Sequence, residues 1–214
     1  MHRALSPCGT RRGQAGTTLP ELMITLLVFS IIMLVVIAMW QQSQEAYFRG
    51  ATAAELQQNA RVALEQITRE VRQAGYDPCR YKTTGCAGTS AFDPVVAGVF
   101  PIQTFTATSL WVRADRNEDG DVTPGGPIPE ENVCFRLAGG QIFRKTDGVN
   151  CTAGGVELAR NINALTFTYL KANGTTATVW SDIRVVRITI SAQETFMGAP
   201  VTVTLRSDVK LRDR

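Results

Sequence analysis

The spacing of apolar residues along the chain changes twice, and each change marks a boundary. Residues 22–40 contain no charged side chain, no Pro and no Gly. As a helix these 19 residues rise about 28 Å, close to the hydrocarbon thickness of a bilayer. The run then becomes amphipathic without a break, with Leu56, Ala60, Ala63, Ile67, Val71 and Ala74 recurring at spacings of three and four, which places them on one helical face. Glu45 with Arg49 and Glu65 with Arg69 are i,i+4 pairs with the acid first, the more favourable orientation. Gly75 suits a left-handed cap and Pro78 cannot continue the helix. The pattern predicts one helix over 21–74, roughly 80 Å long. Its first half, residues 17–40, is long enough to span a membrane, and its second half, residues 41–76, serves as the spine of a soluble head. Gly50 inside it is either a tolerated residue, at a cost of about 1 kcal/mol against Ala, or a bend just beyond the membrane.

From residue 77 the apolar period becomes two. Strands are predicted at 110–114, 132–137, 141–145, 165–170, 176–180, 183–191 and 201–205, with Gly139-Gly140 and Asn173-Gly174 as tight turns between neighbours. In 186–191 and 201–205 apolar and polar residues alternate, as in strands with one covered and one wet face. The amphipathic helix is the simplest cover. The fold class is therefore α+β, a long N-terminal helix packed on an antiparallel β-sheet head over residues 77–214.

At the head of the apolar run stands Glu21, a carboxylate that lipid disfavours without a partner. With its flanks, Gly16 followed by Thr17-Thr18-Leu19-Pro20-Glu21-Leu22-Met23, it resembles the cleavage and methylation signature of type IV prepilins and type II secretion pseudopilins. Thr17 stands where Phe or Met is more usual in that family, and Pro20 where an aliphatic residue is. The resemblance implies a type IV pilin-like fold and a cytoplasmic leader over residues 1–16. It further implies cleavage between Gly16 and Thr17 by a prepilin peptidase, N-methylation of Thr17, and a Glu21 carboxylate that neutralises the new amino terminus of a neighbouring subunit during assembly. Residues 56–76, LQQNARVALEQITREVRQAGY, resemble the helix signature of PilW-type minor pilins. The implied role is a minor pilin that helps initiate or prime a type IV pilus and enters the filament, including its tip. The implied partners are other minor and major pilins, an inner-membrane assembly platform and membrane lipid. A GspJ-type pseudopilin of a type II secretion system is the alternative; a membrane-anchored calcium-binding module that never polymerises is the alternative of another class.

Charge agrees with this partition. The chain carries a net +3, but Arg3, Arg11 and Arg12 lie in residues 1–16 with no acid, so the remainder has 19 basic and 19 acidic side chains and is neutral. Nucleic acid is not an expected partner. The three arginines before the apolar run hold the leader in the cytoplasm and send the head to the periplasm, anchored in the inner membrane. An ordinary secretory signal has a shorter apolar core and a small-residue cleavage site. Beyond the leader stand four cysteines, and in an oxidising compartment the sequence-local pairing is Cys79 with Cys86 and Cys134 with Cys151. Zinc is the competing reading, disfavoured because no C-x-x-C occurs and the sole histidine, His2, lies in the leader.

Asp115-Arg116-Asn117-Glu118-Asp119-Gly120-Asp121 spaces oxygen donors at alternate positions with a Gly for the turn, as a calcium loop does. Asp115, Asn117, Asp119 and Asp121 are the candidate ligands. The twelfth position is Gly126 in place of the usual bidentate Glu, so Glu130 or Glu131 must fold back, or water completes the shell. The alternative is a solvated acidic hairpin tip. Enzyme chemistry is not expected: beyond the leader no histidine can complete a nucleophile–base pair, and neither a phosphate loop nor a G-x-S-x-G elbow is present.

Overall fold

The computed structural model describes residues 16–80, 92, 100–122, 129–146 and 151–211. By internal contacts the chain divides into Met1–Phe48 and Arg49–Arg214, and the two units are described in turn. One helix, α1 (Leu19–Gln73), runs through both.

In the first unit every helix residue from 19 to 44 is exposed among the described residues. Its apolar side chains therefore need lipid or another protein around them. The two hydroxyl residues of the run are satisfied within the helix, Thr25 Oγ1 donating to the carbonyl of Leu22 at 2.9 Å and Ser30 Oγ to that of Leu27 at 2.8 Å. This back-bonding suits a hydrocarbon environment, where no water is available to take its place.

In the second unit the rest of α1 lays Leu56, Ala60, Ala63, Ile67 and Val71 into a core shared with β-strands. The small residues at 60 and 63 let the helix axis approach closely. The strands are β1 (Ile102–Phe105), β2 (Ser109–Arg113), β3 (Asn132–Ala138), β4 (Gln141–Thr146), β5 (Val156–Ala159), β6 (Ile162–Leu170), β7 (Val185–Phe196) and β8 (Ala199–Lys210). They form two antiparallel sheets, β1-β2-β3-β4-β5 and β6-β7-β8, where the sequence suggests one. The break falls at Asn161, whose φ of 59° turns the chain after β5. β6 then crosses the hairpin ends of the first sheet, with Ile162 N–H donating to the Gly140 carbonyl at 2.9 Å and Phe167 N–H to that of Ala107 at 2.8 Å. Leu110, Val112, Val133, Phe135 and Ile142 from the first sheet meet Leu165, Phe167, Val186, Ile188 and Ile190 from the second under the helix face.

Gly139-Gly140 joins β3 to β4 as expected, with Ala138 opposite Gln141. Residues 176–180 are not a strand. After the Asn173-Gly174 turn a single bridge, Leu170 to Thr176, is made, and the chain leaves the sheet through a 3-10 turn over Trp180–Asp182. Asp182 is held to Lys171 at 2.8 Å, which folds the segment back across its own turn. Glu65 differs too: it bonds Arg61 at 3.0 Å, one turn earlier in the helix. The β7–β8 hairpin turns on Met197-Gly198, both in the left-handed region (φ 48° and 80°), a geometry that matches the natural twist of paired strands.

Cys134 on β3 is disulfide-bonded to Cys151, with Cα atoms 5.8 Å apart. Cys79 is likewise disulfide-bonded; Cys86, its expected partner, lies outside the described residues. Gly155 admits the chain to β4 at close range, since a Cβ there would stand 2.8 Å from the Arg144 carbonyl oxygen.

Candidate functional site

Gly16, Thr17 and Thr18 precede the helix as exposed, non-helical backbone. The first helical hydrogen bond runs from Leu22 N–H to the Thr18 carbonyl at 3.2 Å, which makes Thr18 the cap residue and places Pro20 and Glu21 in the first turn. Pro20 costs nothing there, because first-turn N–H groups have no partner within the helix. Glu21, also exposed, sits at the positive end of the helix dipole. It is the one charged residue between 19 and 44. A cut after Gly16 leaves a cation at Thr17, four residues before that carboxylate.

The acidic loop follows β2 and is tied to the end of α1. Gly75 caps the helix at φ 79°, and its N–H donates to the Arg113 carbonyl at 2.9 Å. Asp115 N–H donates to the Tyr76 carbonyl at 2.9 Å, and Tyr76 Oη reaches Glu118 Oε1 at 3.3 Å. A second tie comes from Glu70, a helix residue only 4 % exposed. Its carboxylate pairs with Arg116 of the loop, with Arg144 Nη2 of β4 at 3.0 Å, and accepts from Gln66 Nε2 at 3.2 Å. No sequence motif marks Glu70. The signal was its position, three residues after Ile67 and four before Ala74, on the apolar face.

Within the loop the polar groups first satisfy one another. Asp115 Oδ1 accepts from Glu118 N–H at 2.8 Å and Oδ2 from Gly120 N–H at 3.0 Å. Asn117 Oδ1 accepts from Asp119 N–H at 3.1 Å, while its Nδ2 donates to Asp119 Oδ2 at 2.6 Å. Asp119 Oδ1 accepts from Asp121 N–H at 2.7 Å. Glu131 closes the loop from the far side, its Oε1 accepting the N–H groups of Arg116 (3.0 Å) and Asn117 (3.1 Å). Carboxylate oxygens of Asp115, Asp119 and Glu131 lie within 4.8 Å of one another. Asp121 is exposed and outside that group, and the residue that folds back is Glu131. Burial raises the Asp115 carboxyl above its ordinary range, the Gly120 and Glu118 N–H groups pull it down, and the Asp119 charge pushes it up again. The Glu131 carboxyl is raised in the same way, by burial first. The three acids fit a hard cation in charge and element type: the Asp115 and Asp119 oxygens each accept one N–H and keep a second lone pair, and Glu131 keeps Oε2 beside its doubly bonded Oε1. Asp77, Cys79 and Asp115 also lie close together, but a disulfide sulfur is no thiolate ligand.

Residues 11–37 match the prokaryotic N-terminal methylation motif, and residues 49–211 match the family described as prepilin peptidase-dependent protein B. The chain belongs to the prepilin peptidase-dependent protein B family. No curated protein and no solved structure matches it. The family match covers the described strands and the helix face beneath them, while the methylation motif covers Gly16, Thr17, Glu21 and most of the apolar run. Together they make this a prepilin-like protein with a pilin-like or pseudopilin role, dependent on prepilin peptidase and membrane-anchored through α1. Both matches are to structural components rather than enzymes.

Proposed function

We propose that the protein is a minor pilin of a type IV pilus, close to the PilW type, that helps initiate assembly and enters the filament, at or near its tip. The observation that carries this is the Gly16–Thr17 bond in exposed backbone directly before a lipid-length apolar stretch of α1, residues 19–44, in which Glu21 is the one charge. A plain anchor has no use for either feature. Prepilin peptidase cuts that bond and methylates Thr17; the head stands in the periplasm, and the helix waits in the inner membrane for other pilins and the assembly platform. The Ala74-Gly75-Tyr76 ending, the mark of the PilW resemblance, has a structural task here, since Gly75 and Tyr76 pin both ends of the β2 exit. The GspJ-type pseudopilin is the second reading, favoured by the same processing stretch. A deletion strain separates the two: loss of surface pili with normal protein secretion is expected, whereas intact pili and failed secretion identify the pseudopilin.

The acidic loop is proposed to hold calcium through Asp115, Asp119 and Glu131, with Asn117 orienting Asp119. Because burial raises Asp115 and Glu131, the ion-free head favours their protonated forms. Their contribution to stability is present below the unfolded carboxylate range, near pH 4, and is lost as pH rises through the folded values. At higher pH the charged carboxylates crowd one another, and calcium offsets that repulsion. Calorimetry at pH 7 is expected to show a higher melting temperature in calcium than in chelator, with the difference gone in Asp119→Ala and Glu131→Gln and kept in Asp121→Ala. Equal melting temperatures for the unaltered chain would make the loop a self-capped turn.

A further inference from the structure

Away from the processing stretch and the acidic loop, the flank of α1 roughly opposite Glu70 borders the last strand of the three-stranded sheet. Strand β8 is twelve residues long, and among the described residues it is paired only with β7. Its register with β7 runs from Val185–Lys210 to Phe196–Ala199 without a bulge, and after Pro200 it contains no proline. Folded proteins usually blunt such an edge with a short strand, a bulge, a proline or a cover. Here the edge stays long and regular, and an open groove of about 640 Å³ lies between its Ser207 and the helix, lined by Arg61, Glu65, Thr68, Arg69 and Arg72 among others.

The charges in that groove do not balance. Glu65 is engaged by Arg61 at 3.0 Å. Arg69 and Arg72, both exposed, have no ion pair among the described residues. The helix-facing row of β8 beside them, Val201, Val203 and Leu205, is only half-buried against the core. Among the described residues the surface thus offers backbone N–H and C=O groups left unpaired along one line, a partly apolar floor, and guanidinium groups along the opposite wall.

We propose that the β8 edge and this groove form a docking surface for an extended, acidic segment of another protein, which adds to the sheet as a fourth strand and places carboxylates against Arg69 and Arg72. Backbone pairing supplies the register and the arginines supply the selection for acid. A nucleic acid would use the arginines but has no use for a strand edge, and its binding draws on far more cationic groups than three. This surface is independent of processing at Gly16 and of calcium, so its failure leaves both readings untouched.

The test uses the full chain in a zwitterionic detergent and four probes: the peptide acetyl-(Thr-Glu)5-amide, the same peptide N-methylated at alternate residues, acetyl-(Thr-Lys)5-amide, and a single-stranded decadeoxynucleotide. The acidic peptide is expected to slow hydrogen exchange in 199–210 at least tenfold at saturation. Arg69→Glu/Arg72→Glu, or the milder Arg69→Gln/Arg72→Gln, should weaken its binding at least tenfold while the melting temperature stays unchanged. The N-methylated and basic peptides should give no protection. Equal protection by the N-methylated peptide, equal binding of the basic one, binding of the oligonucleotide in preference to the acidic peptide, or no protection by any probe would each overturn the proposal.

Discussion

Replacing Glu21 with Gln is expected to leave the protein inserted, cleaved after Gly16 and folded, yet to reduce surface pili in a complemented deletion strain to the level of the deletion itself. The substitution keeps side-chain size and helix propensity and removes one charge. A lone carboxylate at the bilayer centre is unfavourable by about 2.5–3.5 kcal/mol, less toward the edge where Glu21 stands. Its neutral amide therefore inserts at least as well. What the amide lacks is the charge that a neighbour's methylated amine at Thr17 requires, and in lipid that amine finds no other counter-ion. Co-purification with other minor subunits should fail along with piliation. Full piliation by Glu21→Gln would make the acid incidental and favour a membrane-tethered head that does not polymerise.

Glu70→Ala should be the most destabilising removal of a charge in the helix half of the head. It removes the shared partner of Arg116 and Arg144, which are 29 % and 23 % exposed at the side chain and cannot both turn to water without moving the loop and β4. Breaking a buried pair by deleting one member leaves an uncompensated charge, and about 2–4 kcal/mol is expected here, at the lower part of the known range because the arginines keep some solvent. For a chain of this size that is a fall of roughly 5–15 °C in Tm. Glu65→Ala, five residues earlier on the exposed flank, should change stability by less than about 0.5 kcal/mol. Thermal unfolding of the two variants side by side decides the point, since equal stabilities would mean that the Glu70 network contributes nothing beyond a surface pair.

The contrast between those two glutamates also shows how far the fold can be read from sequence. Apolar spacing located the helix to within two residues at either end, because Leu56, Ala60, Ala63, Ile67 and Val71 form an unambiguous stripe. Glu70 lies on the same stripe, yet a charged residue reads as solvent-facing until its partners, 46 and 74 residues away, are brought to it by the sheet. Alternation found β2, β3, β4, β6, β7 and β8, whose inner rows are aliphatic or aromatic. It missed β1 and β5, edge strands of four residues each, too short to set a period and, in β5, with Val156 and Glu157 exposed. Residues 176–180 have strand composition but only one bridge to offer, and the pull of Lys171 on Asp182 takes the chain elsewhere. The division into two sheets depends on the left-handed Asn161, which propensity alone does not announce. In the acidic loop the alternating donors were legible, whereas the choice of Glu131 over Glu130 and the exclusion of Asp121 depend on how the 3-10 turn Pro129–Glu131 meets β3.

Processing between Gly16 and Thr17 is the premise of the assembly role, and intact mass spectrometry of the protein extracted from its native membrane tests it most directly. The mass should equal that of a chain beginning at Thr17 plus one methyl group, with two disulfides formed among Cys79, Cys86, Cys134 and Cys151. A chain that retains residues 1–16, or one that begins beyond Trp40, would contradict the assignment of this protein as an assembling pilin-like subunit.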